Sequence, residues 1–232
     1  MNDDTITRDA GLRVAVFGPT GVAGSGVLRA CLAAPEVASI VAVTRRPLGL
    51  DSGKLRAVLC ADFTDLRPVA SAFVDLDACF YCLGISVSQV SAAEYRTITY
   101  TYALEAARAM KEASPDHTFH FVSGSGTRVG SRLMWARVKG ETEEALKGAG
   151  LAGALCWRPA MILGDRLPGG LAWPYRALYP VMRLLAGIPS LSVRAESIGD
   201  AMIETQLEGR REGTIHNLEI RSLAERYRAR QR

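Results

Sequence analysis

Gly18-Pro19-Thr20-Gly21-Val22-Ala23-Gly24 decides how this chain folds. The stretch follows the apolar run Arg13-Val14-Ala15-Val16-Phe17 and leads into Ser25-Gly26-Val27-Leu28-Arg29-Ala30-Cys31-Leu32, which reads as a helix. Strand, glycine turn and helix form the opening half of a dinucleotide-binding unit. Gly18 permits the tight turn, Gly21 lets backbone approach a pyrophosphate, and Gly24 lets helix and strand pack closely. The helix then turns its unpaired N–H groups and the positive end of its dipole toward the phosphates. Thr20 and Val22 belong to the same cradle.

Outward from this turn, short β-branched runs alternate with helical patterns. Strands are expected at 13–17, 40–43, 55–60, 78–82, 118–122 and 154–157, and helices at 25–33, 64–73, 92–113 and 133–147. The early strands are near-continuous apolar runs, the mark of strands buried on both faces. The alternation predicts an α/β fold, a doubly wound parallel sheet of Rossmann-like type. Ligands of such a sheet lie beyond the carboxyl ends of its strands.

After Pro159 the pattern changes. Residues 163–170 read as loop, and 171–187 are apolar and aromatic with Pro174 and Pro180 inside. The second segment is read as a lid, a substrate-facing segment or a homodimer helix in preference to a membrane-surface helix. A helix at 197–207 and a short strand at 214–218 follow. The expected organisation is a loose N-terminus over 1–10 and one domain over 11–232, of which 160–232 supplies a small C-terminal substrate or lid region.

With 232 residues, 48% hydrophobic and 22% charged, the chain has an ordinary globular balance and enough length for a sizeable core. No run reaches the roughly 18 uncharged apolar residues that span a bilayer. The opening Met1-Asn2-Asp3-Asp4 is acidic, unlike a secretory signal, so a cytoplasmic location is expected. Five cysteines, an odd number lying mainly in apolar patterns, read as buried thiols. Cys79 and Cys82 have C-x-x-C spacing, but they fall inside a strand and lack further ligands, so no metal site is expected. The net charge of +4 is modest, and the arginine-rich tail from Arg221 to Arg232 reads as a solvated helix end, not a nucleic-acid surface.

NAD-binding versions of this unit close the second strand with an acidic residue about 20 positions past the glycines. Here that place reads Val43-Thr44-Arg45-Arg46-Pro47. Arg45 and Arg46 suit the planar, bidentate demands of a 2′-phosphate, which favours NADP over NAD. At the end of the third strand, Asp62 can accept from the adenine amino group and Phe63 can shape its edge. At the end of the fourth, Leu83 and Gly84 make a small turn that lets backbone approach the ribose.

Taken together these pieces resemble an atypical short-chain dehydrogenase/reductase, most similar to the oxidoreductase group related to the Tat-interacting protein. The matching segments are GPTGVAG at 18–24, VTRRP at 43–47, DF at 62–63, DACFYCLG at 77–84, FHFVSGSG at 119–126, VKGETE at 138–143 and WRPAMILG at 157–164. The resemblance implies NADP binding and reduction of a small carbonyl compound, and names no substrate. It further implies a serine after the fifth strand and a Tyr-x-x-x-Lys pair on the next helix. The tyrosine passes a proton to the reacting oxygen, and the lysine lowers the tyrosine's pKa and holds the nicotinamide ribose. Ser125 aligns with the serine, with Ser123 nearby, and Lys139 aligns with the lysine. Pro159 and Ile162 lie in the turn that passes the nicotinamide in relatives.

The tyrosine position holds Trp135. An indole donates a hydrogen bond but does not release its proton in an accessible pH range. Trp135 can therefore position a substrate oxygen without acting as its acid, a loss typically of about 10²–10⁴-fold. Tyr81, Tyr95, Tyr175 and water are the replacement acids the sequence offers. Two readings follow: a reductase with another acid, or an NADP-binding regulator with little turnover.

Overall fold

A computed structural model describes residues 11–164 and 188–232. The N-terminal segment 1–10, the apolar segment 171–187 and Tyr175 lie outside the described residues. The chain runs β1 (Leu12–Phe17), α1 (Val22–Ala33), β2 (Val37–Thr44), β3 (Leu55–Leu59), a 3-10 helix (Arg67–Phe73), β4 (Ala78–Tyr81), α2 (Ala92–Arg96), one π-helical turn (Thr97–Thr101) and α3 (Tyr102–Ala113). It continues through β5 (Thr118–Val122), α4 (Met134–Lys147), β6 (Gly153–Arg158), β7 (Met161–Leu163), β8 (Ser192–Arg194), α5 (Ala195–Leu207), β9 (Glu212–His216) and α6 (Asn217–Arg230).

Seven of these strands pair in parallel in the order β3-β2-β1-β4-β5-β6-β9. Helices flank the sheet, so the doubly wound α/β fold expected from the sequence is the fold observed. The strand order reverses direction beside β1, between β2 and β4, and there the crevice for a ligand opens.

The period-two alternation of a strand explains the apolar runs. On β1, Val14 and Val16 pack into one core with α1, α5 and α6, while Ala15 and Phe17 pack into a second core with α3. The same rule separates the C-x-x-C pair. Cys79 lies on β4 and Cys82 just past its end, three positions on, so they fall in opposite cores, and both are free thiols.

Several elements differ from the sequence expectation. The helix expected over 64–73 is a 3-10 helix from Arg67, with Pro68 in its first turn. The helix over 92–113 is continuous but carries the π-helical turn. The strand expected over 214–218 ends at His216, and Leu218 begins the last helix, α6. The switch comes from Asn217, whose side-chain oxygen accepts from the Ala160 amide while its amino group donates to the carbonyls of Pro189 and Ser192. This side chain ties the turn after β6 to the small parallel β7–β8 sheet, which the sequence did not reveal.

The arginine-rich tail is α6, docked on α5. Arg228 pairs with Asp200 at 2.7 Å, Arg230 with Glu204 at 2.9 Å and Arg226 with Glu208 at 3.0 Å. The basic run is thereby matched by an acidic face within the molecule.

Candidate functional site

Gly18 sits at φ +71°, and a Cβ there would lie 2.6 Å from the Leu83 Cα at the end of β4. A Cβ on Gly24 would lie 2.0 Å from the Gly18 carbonyl oxygen. These two positions bring strand, turn and helix into direct backbone contact. Gly21 differs: a Cβ there would meet only the Gly18 oxygen, at 3.5 Å, and otherwise opens onto the cavity. Gly21 is also the N-cap of α1, with no side-chain cap and no acidic residue in the first helical turn. The orphan N–H groups and positive dipole end are left for an anion.

A cavity of about 590 Å³ opens in front of this turn. Gly18, Thr20, Gly21 and Arg45 line it, as do Phe63, Leu83 and Gly84 from the ends of neighbouring strands. Seven predicted residues from four segments of the chain therefore share one cleft. Val22 and Gly24 lie behind them in α1. The exposed Arg45 and Arg46 have no ion pair among the described residues, and the Thr44 hydroxyl holds their turn by donating to the Arg46 carbonyl at 3.0 Å.

Asp62 differs from its expected role. Its carboxylate accepts from the Thr64 amide at 2.8 Å and from the Thr64 hydroxyl at 2.6 Å, and it does not line the cavity. The residue shapes its own turn, and these hydrogen bonds hold its pKa below the ordinary carboxylate value. Sequence reasoning missed the far wall, which includes Ser91, Glu94, Thr97 and Ile98. A signal was present: Ser91 and Glu94 have capping-box spacing, and the Ser91 hydroxyl accepts from the Glu94 amide at 3.2 Å.

The second half of the site gathers at the end of β5. Ser123 is buried, with its hydroxyl against that of Thr127 at 3.0 Å, so it serves structure. Ser125 is exposed; its amide donates to the Pro159 carbonyl at 2.8 Å, and its hydroxyl has no partner among the described residues. The half-buried Trp135 lies over this turn. Cβ atoms built on Gly124 and Gly126 would stand 3.9 and 3.6 Å from its ring, and its N–H has no partner among the described residues. Lys139, one helical turn on, donates to the carbonyls of Ser123 at 2.7 Å and Val122 at 3.2 Å. Burial pushes its amine down to about 8, with Glu143 opposing the shift. Ile162 is placed differently from the rest: it pairs with Val193 in the β7–β8 sheet and packs on the core.

Behind Lys139, the buried Glu143 takes both Nε and a terminal nitrogen of Arg158, at 3.0 and 2.5 Å. This pair was not legible in the sequence, where Glu143 reads as one of several charges on a helix surface. Two of the replacement acids are buried in the packing. Tyr81 is stacked between Phe17 and Phe119, with its hydroxyl buried and unpartnered among the described residues. Tyr95 is buried as well, and burial pushes both phenols up. Among the described residues no cluster of His, Cys, Asp and Glu could hold a metal, and no helix is long and apolar enough to cross a membrane.

The sheet order and the glycine turn define a Rossmann-type protein with the fold of short-chain dehydrogenases/reductases. A nucleotide-sugar epimerase from Methanobrevibacter ruminantium, solved with UDP-N-acetylmuramic acid, superposes with a TM-score of 0.67 at 17% identity over 89% of this chain and 76% of its own. The aldohexose dehydrogenase of Thermoplasma acidophilum gives 0.65 at 14% identity over 90% and 94%. The enzyme WbmG of Bordetella bronchiseptica, solved with NAD, gives 0.67 at 16% over 91% and 74%. No family model matches the chain.

The chain belongs to the FMP52 family. It is 32% identical over 158 residues to the mitochondrial protein fmp52-2 of Neosartorya fischeri, covering 66% of this chain and 68% of that one. It is 32% identical over 155 residues to the mitochondrial protein FMP52 of Chaetomium globosum, covering 65% and 66%. The chain thus spans about two thirds of the length of the curated relatives it matches. The cytoplasmic expectation is overturned by these relatives, whose names place them in mitochondria.

Proposed function

We propose that the chain binds NADP(H) in this cleft and acts as an oxidoreductase on a small carbonyl compound. The cradle carries the reading: Gly18 and Gly24 fix the turn, Gly21 leaves its side open, and an uncapped helix end faces a cavity of about 590 Å³. In this reading Gly18, Thr20 and Gly21 face the pyrophosphate with Val22 and Gly24 supporting them from α1, and Phe63, Leu83 and Gly84 surround the adenosine. Lys139 and Pro159 flank the nicotinamide end. Ser125 and Trp135 orient the substrate oxygen through two donors that have no partner among the described residues. When bound, the reduced nicotinamide supplies a hydride. Residues 11–232 form one domain, with 160–232 on the substrate side. The motif set supports a likeness to the Tat-interacting-protein-like oxidoreductases.

Arg45 and Arg46 support the 2′-phosphate of NADP, since charge-assisted contacts to phosphate are worth about 1.5–3 kcal/mol each. Arg45→Ala is expected to weaken NADPH roughly tenfold to a hundredfold and NADH less than about threefold. Arg46, outside the cavity lining, has the smaller effect of the two. Calorimetric titration of both coenzymes checks this, and equal losses for the two would remove the 2′-phosphate assignment.

Trp135 favours a second reading, a regulator that binds NADP(H) with little turnover, because an indole cannot pass a proton. NADPH oxidation over a broad carbonyl panel separates the two. In Trp135→Tyr, turnover is expected to appear or to rise at least about tenfold. An unchanged rate means that the hydroxyl was never limiting there.

A further inference from the structure

We propose that Lys139 is the proton source of this site, giving an N–H proton directly to the oxygen that Trp135 and Ser125 hold. The inference rests on the oxidoreductase reading above and deepens it. Three groups converge around residues 122–126: the Trp135 indole over the glycines flanking Ser125, the Ser125 hydroxyl, unpartnered among the described residues, and the Lys139 Nζ on the Ser123 carbonyl. Of these only the ammonium can part with a proton near neutral pH, because an indole and a serine hydroxyl cannot.

The surroundings suit the task. Two of the three ammonium N–H bonds go to the carbonyls of Val122 and Ser123, which aim the nitrogen and leave one N–H for a ligand. The Phe121 ring lies 5.9 Å away on the strand side. The charged groups nearby are Glu143 on the same helix and Arg158 on β6, and Arg158 binds Glu143 through both carboxylate oxygens. The Glu143 charge is thus largely committed to Arg158, and burial leaves the amine at about 8, where a general acid is both populated and willing to donate. Tyr81 stacks on Phe121, at 6.0 Å between ring centroids, but its hydroxyl is buried and has no partner among the described residues, and Tyr95 is buried as well.

The step balances simply. With a reduced nicotinamide bound, its hydride and electron pair would go to the carbonyl carbon. The C=O π pair moves onto oxygen, an N–H bond of Lys139 breaks, and an O–H bond forms. The neutral amine then takes a proton from water.

Two measurements test this on the full chain. The sequence has only Lys54, Lys111, Lys139 and Lys147, so ¹³C reductive methylation gives few signals, assignable with single Lys→Arg variants. The Lys139 signal is expected to titrate at about 8. A value in the ordinary lysine range overturns the proposal. In steady-state kinetics kcat is expected to fall about tenfold per pH unit above 8, since the acid must be protonated. Lys139→Arg keeps the charge and the donors but cannot release a proton, so NADPH should still bind while turnover falls about 10²–10⁴-fold. Turnover within about threefold of wild type, or a flat pH profile, overturns the proton role. Wild type that binds NADPH but reduces no carbonyl also overturns it and leaves the cofactor reading standing. Failure of wild type and variant alike to bind NADPH overturns the cofactor reading itself.

Discussion

Gly24→Ala is expected to lose at least about a hundredfold in affinity for NADPH, roughly 3 kcal/mol, and to lower the melting temperature with it. The added Cβ would stand 2.0 Å from the Gly18 oxygen and 2.8 Å from its carbonyl carbon, both backbone atoms that no rotamer change can move. The turn has little room to retreat, because Gly18 already abuts the Leu83 backbone across the crevice. Helix α1 and the turn must therefore separate, and the N–H groups leave the phosphate position. Gly21→Ala supplies the contrast. Its Cβ meets only the Gly18 oxygen at 3.5 Å, an ordinary contact, and Gly21 is at φ −74°, which alanine adopts freely. That variant should melt like wild type yet bind NADPH poorly, because the methyl group stands where the pyrophosphate approaches. Calorimetry and thermal melts on both variants check the pair. A Gly21→Ala protein with wild-type affinity would show that the cradle does not hold a dinucleotide.

The contrast also shows what the residues alone could reveal. The cradle was legible because its constraints are local: a strand, three glycines at fixed spacing and a helix, all within residues 13–33. The parallel sheet was legible because strands such as Val14–Phe17 are buried on both faces and show it in unbroken apolar runs. What stayed hidden depends on partners distant in sequence. Asn217 reads as a strand residue until Ala160, Pro189 and Ser192 are seen to converge on its side chain. Asp62 sits at a strand end where an adenine could find it, but Thr64 is two residues away and takes the carboxylate first. Glu143 lies in a helix rich in charges, and only the approach of β6 brings Arg158 onto it. The tail is the converse case: its charge was visible, but its acidic counterpart on α5 was not.

Glu143→Gln should be among the most damaging single changes that leave the cavity lining untouched. The wild-type carboxylate is 1% exposed and accepts two bonds from Arg158, itself 23% exposed. A glutamine amide turns one acceptor into a donor facing the guanidinium, leaving Arg158 half-matched in a largely dry site. Breaking a buried pair from one side costs about 3–5 kcal/mol, and the partial exposure of Arg158 places the loss near 3. For a chain of this length that is a fall of roughly 6–12 °C in melting temperature. A second effect runs through Lys139. Its amine lies at about 8 in the folded protein against 10.5 for an ordinary lysine, so the unfolded chain binds the extra proton between those values. Stability therefore gains from this group as pH rises from 8 to 10.5, and below 8 its burial penalty is constant. Removing the Glu143 charge lowers the folded-state value further, so the variant starts recovering at a lower pH than wild type. Its deficit relative to wild type should be widest and constant at the acidic end of this range and narrow as the pH approaches 8. The buried thiols of Cys31, Cys79 and Cys82, pushed up by burial, pull the other way once pH passes the ordinary thiol value of 9.0. Burial also lowers His117 and His120, which act alike in both proteins, so the difference between the two proteins' urea-unfolding curves at several pH values below that point reports the lysine. Parallel curves would mean that Glu143 holds Arg158 alone and has no hold on the proton at Lys139.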